Sequence, residues 1–296
     1  MMTTWVKRIL LASVVAGVGL AVTVRAAPRM RRPATISPQN LKKIEAAVPA
    51  RPRVTPARPR RILVFWRCEG FFHAGGIAGA NKAIELMGKK TGAFTADFST
   101  DYAVFDPANL ARYDAIVLNN TTRLKFPDET KKRALLNFVR GGKGLVGIHS
   151  ATDNFYDWPE AARMLGGLFN GHPWHAGGTW AFKLEEPSHP LLRAFGGKNF
   201  KLKDEIYQFK DPYTRADRRV LITLDLSDPH TNNVKGKRRA DNDYAAAWIK
   251  YEGKGRVFYC VFGHNMSVFW QPAIVQFYLD GIQWAIGDLK ADASPR

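Results

Sequence analysis

The sequence predicts an α/β protein built on a doubly wound, mostly parallel sheet in three layers. Two observations carry that expectation. Short apolar runs occur without polar alternation, as in strands buried on both faces, and helical patterns stand between them where crossovers are needed. Residues 62–66 (Ile-Leu-Val-Phe-Trp) are the first such run. A loop at 67–76 follows, then a helical pattern with Ile77, Ala80, Ile84 and Met87 on one face. A weaker strand is expected at 94–98 and a stronger one at 113–118. The next helix carries its own signals: Pro127 near the start, Asp128 and Glu129 in the first turn, Arg140 late, and Gly141-Gly142 as the stop. Residues 144–148 read as the next strand. Beyond Trp158 the chain is rich in Gly and aromatics up to Phe182, followed by mixed short strands with no second hydrophobic unit, so a single domain is expected. Residues 246–251 and 256–261 flank Glu252-Gly253-Lys254-Gly255 and read as a hairpin with a four-residue loop. A final helix from Pro272 brings Ile274, Phe277, Tyr278, Gly281 and Ala285 to helical spacing, as core.

The balance of 46% apolar and 24% charged residues in 296 is that of a globular protein with a substantial core. The amino-terminal residues differ in kind. Lys7 and Arg8 precede an apolar run at 9–24, and Val24-Arg25-Ala26 offers the small residues a signal peptidase reads. Residues 1–26 are therefore expected to be a signal peptide of an exported, periplasmic or secreted protein. An uncleaved anchor is the alternative, because the run falls only slightly short of the ~17 residues a spanning helix needs. There is no lipobox cysteine. Residues 27–60, rich in Pro, Arg and Ala, read as a basic disordered linker, interrupted by a short helix around 41–47. The domain is expected at 61–290, and removal of residues 1–60 should then leave folding intact. Through Arg60 there are twelve Lys or Arg against the single Glu45, so +11 of the formal +18 lies outside that domain. The rest is scattered, which argues against a nucleic-acid partner, and the dense run at 235–239 reads as a solvated loop. A membrane contact is expected only if the signal segment stays attached. Cys68 and Cys260 are the only cysteines, and the sequence leaves open whether they pair.

In open α/β sheets ligands sit beyond the carboxyl ends of the strands, and here those positions are unusually polar. The first run is followed by Arg67-Cys68-Glu69 and His73, the run ending at Leu118 by Asn119-Asn120-Thr121, that ending at Ile148 by His149-Ser150 and Asp153, and that ending at Val261 by Gly263-His264-Asn265. If the strands are parallel, His73, His149 and His264 can meet on one rim. The stretch 166–175 adds His172 and His175, which have a ligand-like spacing, and a divalent metal such as zinc is the cofactor these histidines would admit. Trp174, Phe155, Tyr156 and Trp158 could stack on a sugar ring or roof the core. Asp204-Glu205-Ile206-Tyr207 places paired carboxylates before a strand-like run. His189 reads as a helix start, and His230 carries no signal.

Four phrases together, and in this order, resemble the trehalose-utilisation (ThuA-like) family: residues 141–153 (Gly-Gly-Lys-Gly-Leu-Val-Gly-Ile-His-Ser-Ala-Thr-Asp), 165–172 (Leu-Gly-Gly-Leu-Phe-Asn-Gly-His), 204–207, and 253–264. The resemblance covers the chain from Arg61 onward. It implies a flavodoxin-related, class I glutamine amidotransferase-like fold and a link to disaccharide or glycoside catabolism, often through sugars first oxidised to 3-keto derivatives. The amidotransferases carry a nucleophilic Cys on a sharp turn after a central strand. Here His149 and Ser150 follow Ile148, and Gly147-Ile148-His149-Ser150-Ala151 is not a G-x-S-x-G elbow, so glutaminase and serine-hydrolase chemistry are disfavoured.

The expected function is that of a carbohydrate-catabolic enzyme acting on an oxidised (3-keto) glycoside by elimination, hydration or isomerisation. His149, His73, Asp153, Glu205 and His264 are the expected catalytic residues, with His149 as base and Glu205 as acid. Glu69, Asn119, Asn120, Trp174 and Tyr207 are expected to bind a small glycoside or oxidised sugar, and His172 and His175 to hold a metal. A non-catalytic sugar- or partner-binding module and a metal-dependent hydrolase are the alternatives.

Overall fold

Ile62, Leu63, Val64 and Phe65 are wholly buried and form most of the first strand, β1 (Arg61–Phe65), of a computed structural model that describes residues 31–296. The signal segment expected at 1–26 lies outside the described residues. Before β1 comes α1 (Pro38–Ala47), capped by the Ser37 hydroxyl, which accepts from the Asn40 N–H. The chain continues through α2 (Ala74–Thr91), β2 (Thr95–Ser99), α3 (Pro107–Leu110), β3 (Ala115–Asn119), α4 (Glu129–Arg140), β4 (Gly144–Ile148), α5 (Pro159–Leu165) and β5 (Leu168–Phe169). Then follow β6 (Thr179–Leu184), β7 (Phe200–Lys203), β8 (Phe209–Lys210), β9 (Arg219–Leu224), α6 (Pro229–Asn232), β10 (Ala245–Glu252), β11 (Gly255–Cys260) and α7 (Pro272–Ala285). Asp128 caps α4 by accepting from the Lys131 N–H, one residue after the proline that marked its start.

Nine strands form one sheet in the order β2-β1-β3-β4-β11-β10-β9-β6-β7. The pairs from β2 to β11 are parallel and need crossover helices, which the alternating sequence supplies. From β11 onward neighbours are antiparallel, so β10, β9, β6 and β7 extend the expected sheet. Helices α1, α2 and α7 contact one another, as do α4 and α5, giving the three layers of the expected α/β fold. The hairpin of β10 and β11 is tighter than expected: Glu252 pairs with Gly255, leaving Gly253 and Lys254 as the turn. Gly253 has φ +59°, and a Cβ there would lie 2.8 Å from the Arg140 carbonyl, so glycine is required. The chain runs outward from β1 to β2 and then returns to the other side of β1 at β3. Such a reversal opens a crevice at the carboxyl ends of these strands. Among the described residues no helix is long and apolar enough to cross a membrane.

The linker expected at 27–60 is corrected from Arg32 onward, because residues 32–296 form one compact unit. Ile44, Ala47 and Val48 are buried, each such aliphatic side chain contributing up to ~1.5–3 kcal/mol. The polar residues of the segment matter as much. Asp280 and Gln283 on α7 are fully buried; the Arg53 guanidinium donates to Asp280 Oδ2 at 3.0 Å, and the Arg53 N–H donates to Gln283 Oε1 at 2.8 Å. Arg58 pairs with Asp114 and Arg60 with Asp288. Arginines that read as linker charge are thus the partners of buried acids, and deletion of residues 1–60 would strand them. Neither Cys68 nor Cys260 is in a disulfide.

Candidate functional site

Three strands of the parallel half each deliver an imidazole to the same rim. His73 lies beyond β1, directly before α2, and is 5% exposed. His149 is the first residue after β4, on a sharp turn with φ +49°, where its carbonyl accepts from the Tyr259 hydroxyl at 2.7 Å. Its Nδ1 lies 2.7 Å from the Val261 carbonyl. A carbonyl can only accept, so Nδ1 carries the proton and the Nε2 lone pair faces away from that contact. His264 follows β11 through Gly263, whose φ of +144° is glycine territory. The fourth member, Glu205, comes from the connection that leaves β7, the last strand of the antiparallel extension, for β8, which pairs with β5 in a separate two-stranded sheet.

The three rings are mutually edge-to-face, with centroids 4.8 Å apart for His73 and His149, 5.1 Å for His73 and His264, and 5.3 Å for His149 and His264. Glu205 Oε1 lies 3.6 Å from His149 Nε2 and 3.2 Å from His264 Nδ1. One ligand atom from each of the four residues falls within 4.8 Å of the others. Yet His149 Nε2 and His264 Nδ1, both buried, have no partner with hydrogen-bond geometry. Buried polar atoms are normally satisfied, so nitrogens left facing a shared point beside a carboxylate suit a cation held among them. Three imidazoles and a carboxylate are the donor set of zinc and its first-row neighbours.

Electrostatics fit the same reading. Burial, reinforced by His149 and His264, lowers the His73 pKa to about 2 and keeps that ring neutral. Burial alone would raise Glu205, but His149 and His264 outweigh it and hold the carboxylate ionised. Burial would lower His264, but Glu205 outweighs it and raises its pKa. Neutral imidazoles and an ionised carboxylate are the ligand forms a metal requires; His73 and Glu205 are held in those forms, whereas at His264 a metal would compete with the proton that Glu205 favours.

Asp204, adjacent to Glu205 and fully buried, accepts from the N–H groups of Gly263 at 2.7 Å and Asn265 at 2.8 Å and so fixes the His264 loop. The paired acids in the sequence signalled it, but only Glu205 was expected at the site. Asn119 and Asn120, expected to meet substrate, are wholly buried. Asn119 Nδ2 donates to Asn81 Oδ1, and Asn120 Nδ2 to the Gly263 carbonyl, so they brace the rim from behind. Asp153 accepts from the Tyr156 hydroxyl at 2.6 Å and pairs with Arg123, outside the cluster. Glu69 pairs with Arg67. Tyr207 is buried against the His149 ring at 4.4 Å, its hydroxyl 3.4 Å from His73 Nε2.

The expected metal pair is divided. His172 reaches the cluster, with Nδ1 3.4 Å from Glu205 Oε2, and is half exposed. His175 instead packs edge-on to Trp180 at 5.4 Å. Ligands three apart share a face only on a helix, whereas this segment is irregular and Gly171 has φ +105°. Trp174 is likewise no platform: it is fully buried, and its indole N–H donates to the Thr231 carbonyl. His189 caps a short 3-10 turn, as expected, and His230 stacks on Trp180.

No curated protein matches the chain. Among solved structures, a ThuA-like protein from Bacteroides uniformis ATCC 8492 is similar with a TM-score of 0.64 and 22% identity, covering 78% of this chain and 93% of its own. A ThuA-like protein from Parabacteroides merdae ATCC 43184 gives 0.59 and 20%, covering 81% and 98%. At these identities the likeness is one of fold. The ThuA family, described as trehalose utilisation, matches residues 61–285, which hold all four residues of the cluster. The chain therefore belongs to the ThuA family, with its class I glutamine amidotransferase-like fold and its tie to carbohydrate use.

Proposed function

We propose that this chain is an exported, metal-dependent carbohydrate-catabolic enzyme that acts on a 3-keto glycoside or disaccharide, with His73, His149, Glu205 and His264 as the metal ligands. The observation that carries the reading is the convergence of these four side chains with two buried nitrogens lacking hydrogen-bond partners. When bound, a zinc-class ion would polarise the ketone oxygen and steady charge developing there. His149 and Glu205, expected as base and acid, are too enclosed and serve as ligands. His172, half exposed and 3.4 Å from Glu205, is the imidazole free to take a proton from the C2 carbon beside the ketone. Loss of that proton and departure of the glycosidic oxygen from C1 leave a C1=C2 double bond, and the oxygen leaves with a proton. His172 can hand the proton it has taken to the departing oxygen, while Tyr207, as enclosed as the ligands, positions His73 with its hydroxyl 3.4 Å from Nε2.

The test is metal content of the purified protein together with turnover of trehalose oxidised at C3. One equivalent of a first-row metal, lost in His149→Ala and His264→Ala, with C2 exchange in deuterated water, is expected. A wild-type chain that takes up no more metal than these variants after reconstitution would falsify the metal site. Binding of the keto-sugar without turnover would favour the binding-module reading. Export is tested separately: chain recovered from the periplasm of a bacterial host should begin near Ala27, and retention of the intact chain in the cytoplasm overturns it.

A further inference from the structure

Phe71 stands out among the described residues. It is 66% exposed, more than the other exposed large hydrophobic side chains, Phe98 and Tyr251, and of the three it alone has recorded ring contacts with the histidine cluster. Its ring meets His73 edge-to-face at 4.7 Å and lies within 19° of parallel to His264 at 6.5 Å. The backbone holds it there. The Glu69 N–H donates to the Thr122 carbonyl at 2.8 Å, and the Thr122 hydroxyl donates to the Phe71 carbonyl at 2.7 Å. Gly70 lets the loop press against Arg123, since a Cβ there would fall 2.6 Å from Arg123 Cγ. A phenyl ring fixed in solvent on a pinned loop, against two members of a polar cluster, is an apolar surface awaiting a ligand of mixed character.

We propose that Phe71 is the platform on which a pyranose ring stacks, and thereby a determinant of the site's preference for cyclic sugars. A pyranose presents a patch of C–H groups on one face and hydroxyls around its edge. The phenyl face takes the C–H patch, while the rim meets the hydroxyl and carbonyl edge. This rests on the carbohydrate reading above and adds a residue to it. Phe71 supplies orientation and no proton.

The test uses zinc-loaded full chain and calorimetric titration with trehalose and with trehalose oxidised at C3, with sorbitol as an acyclic control. Phe71→Ala is expected to weaken binding of whichever disaccharide binds by about tenfold at unchanged metal content. Phe71→Leu should weaken it as much, because it keeps apolar bulk without a ring, and Phe71→Trp should retain affinity. Sorbitol binding should be equal in all four proteins. Unchanged disaccharide affinity in Phe71→Ala, or Leu matching Phe, overturns the platform while leaving the metal and turnover readings standing. A metal-loaded wild type that binds neither disaccharide overturns the platform and the carbohydrate reading together.

Discussion

Asp280 and Glu205 are both buried carboxylates with cationic or imidazole neighbours, yet they are finished differently. Asp280 accepts from Arg53 at 3.0 Å and from Gln276 at 2.6 Å, and nothing around it is left over. Around Glu205, two buried imidazole nitrogens face the carboxylate and one another without a hydrogen bond. A completed set of partners serves the fold. A set left open toward one point is poised for something the chain itself does not provide.

The largest effect expected from this contrast is on the completed site. Deletion of residues 1–60 should cost more than about 5 kcal/mol, since it removes the burial of Ile44 and Val48 and leaves Asp280 unpaired; urea unfolding measures it, and a cooperative transition of wild-type midpoint would refute the structural role of the segment. Arg53→Ala alone should cost about 3 kcal/mol, limited because burial already raises the Asp280 pKa and the carboxyl can protonate. Gly76→Ala tests the bracing of the open site. A Cβ there would lie 2.1 Å from the Gly263 carbonyl, so the His264 loop must shift, with an expected loss of about 2 kcal/mol and weaker metal retention on dialysis. His264→Ala should cost metal-free protein about 1 to 2 kcal/mol, because it removes the partner whose charged form Glu205 favours. A larger loss would mean that the rim is structural after all.

Acid dependence separates a further member of the completed class. Burial pushes the Asp114 carboxyl up, but the Arg61 N–H and the Arg58 guanidinium outweigh it, and its pKa is lowered. A depressed folded value gives stability that is fully present above the unfolded value of about 3.9 and is lost as pH falls through the folded one. The difference between wild type and Asp114→Asn should therefore be greatest near neutrality and shrink below about pH 4. A difference independent of pH would dissociate Asp114 from that linkage.

The histidine rim was legible because each imidazole lies in a loop leaving the carboxyl end of a strand run, and a parallel sheet sends all such loops to one edge. Glu205 was half legible: paired acids mark a turn as readily as a site, and only the antiparallel extension brings them to the rim. Trp174 and His175 were misread because an aromatic packs a core as well as a ligand, and irregular backbone carries no periodicity to say which way it faces. In the segment at 32–60 only the short helix was legible, formed as Pro38–Ala47; its packing was not, for another reason. Its few apolar residues looked too sparse to fold, and the acid that binds Arg53 lies 227 residues away in the chain. The antiparallel strands after Trp158 were legible only as short mixed runs, because Gly-rich connections hide their pairing.

The donor set is divided between the two parts of the sheet, three nitrogens from the parallel half and one carboxylate from the extension. An ion gripped by all four ties those parts across the crevice, so its binding energy is also cohesion between them. Such an ion would add to the β10–β11 ladder and the Asp204 hydrogen bonds, which already join the two parts without it.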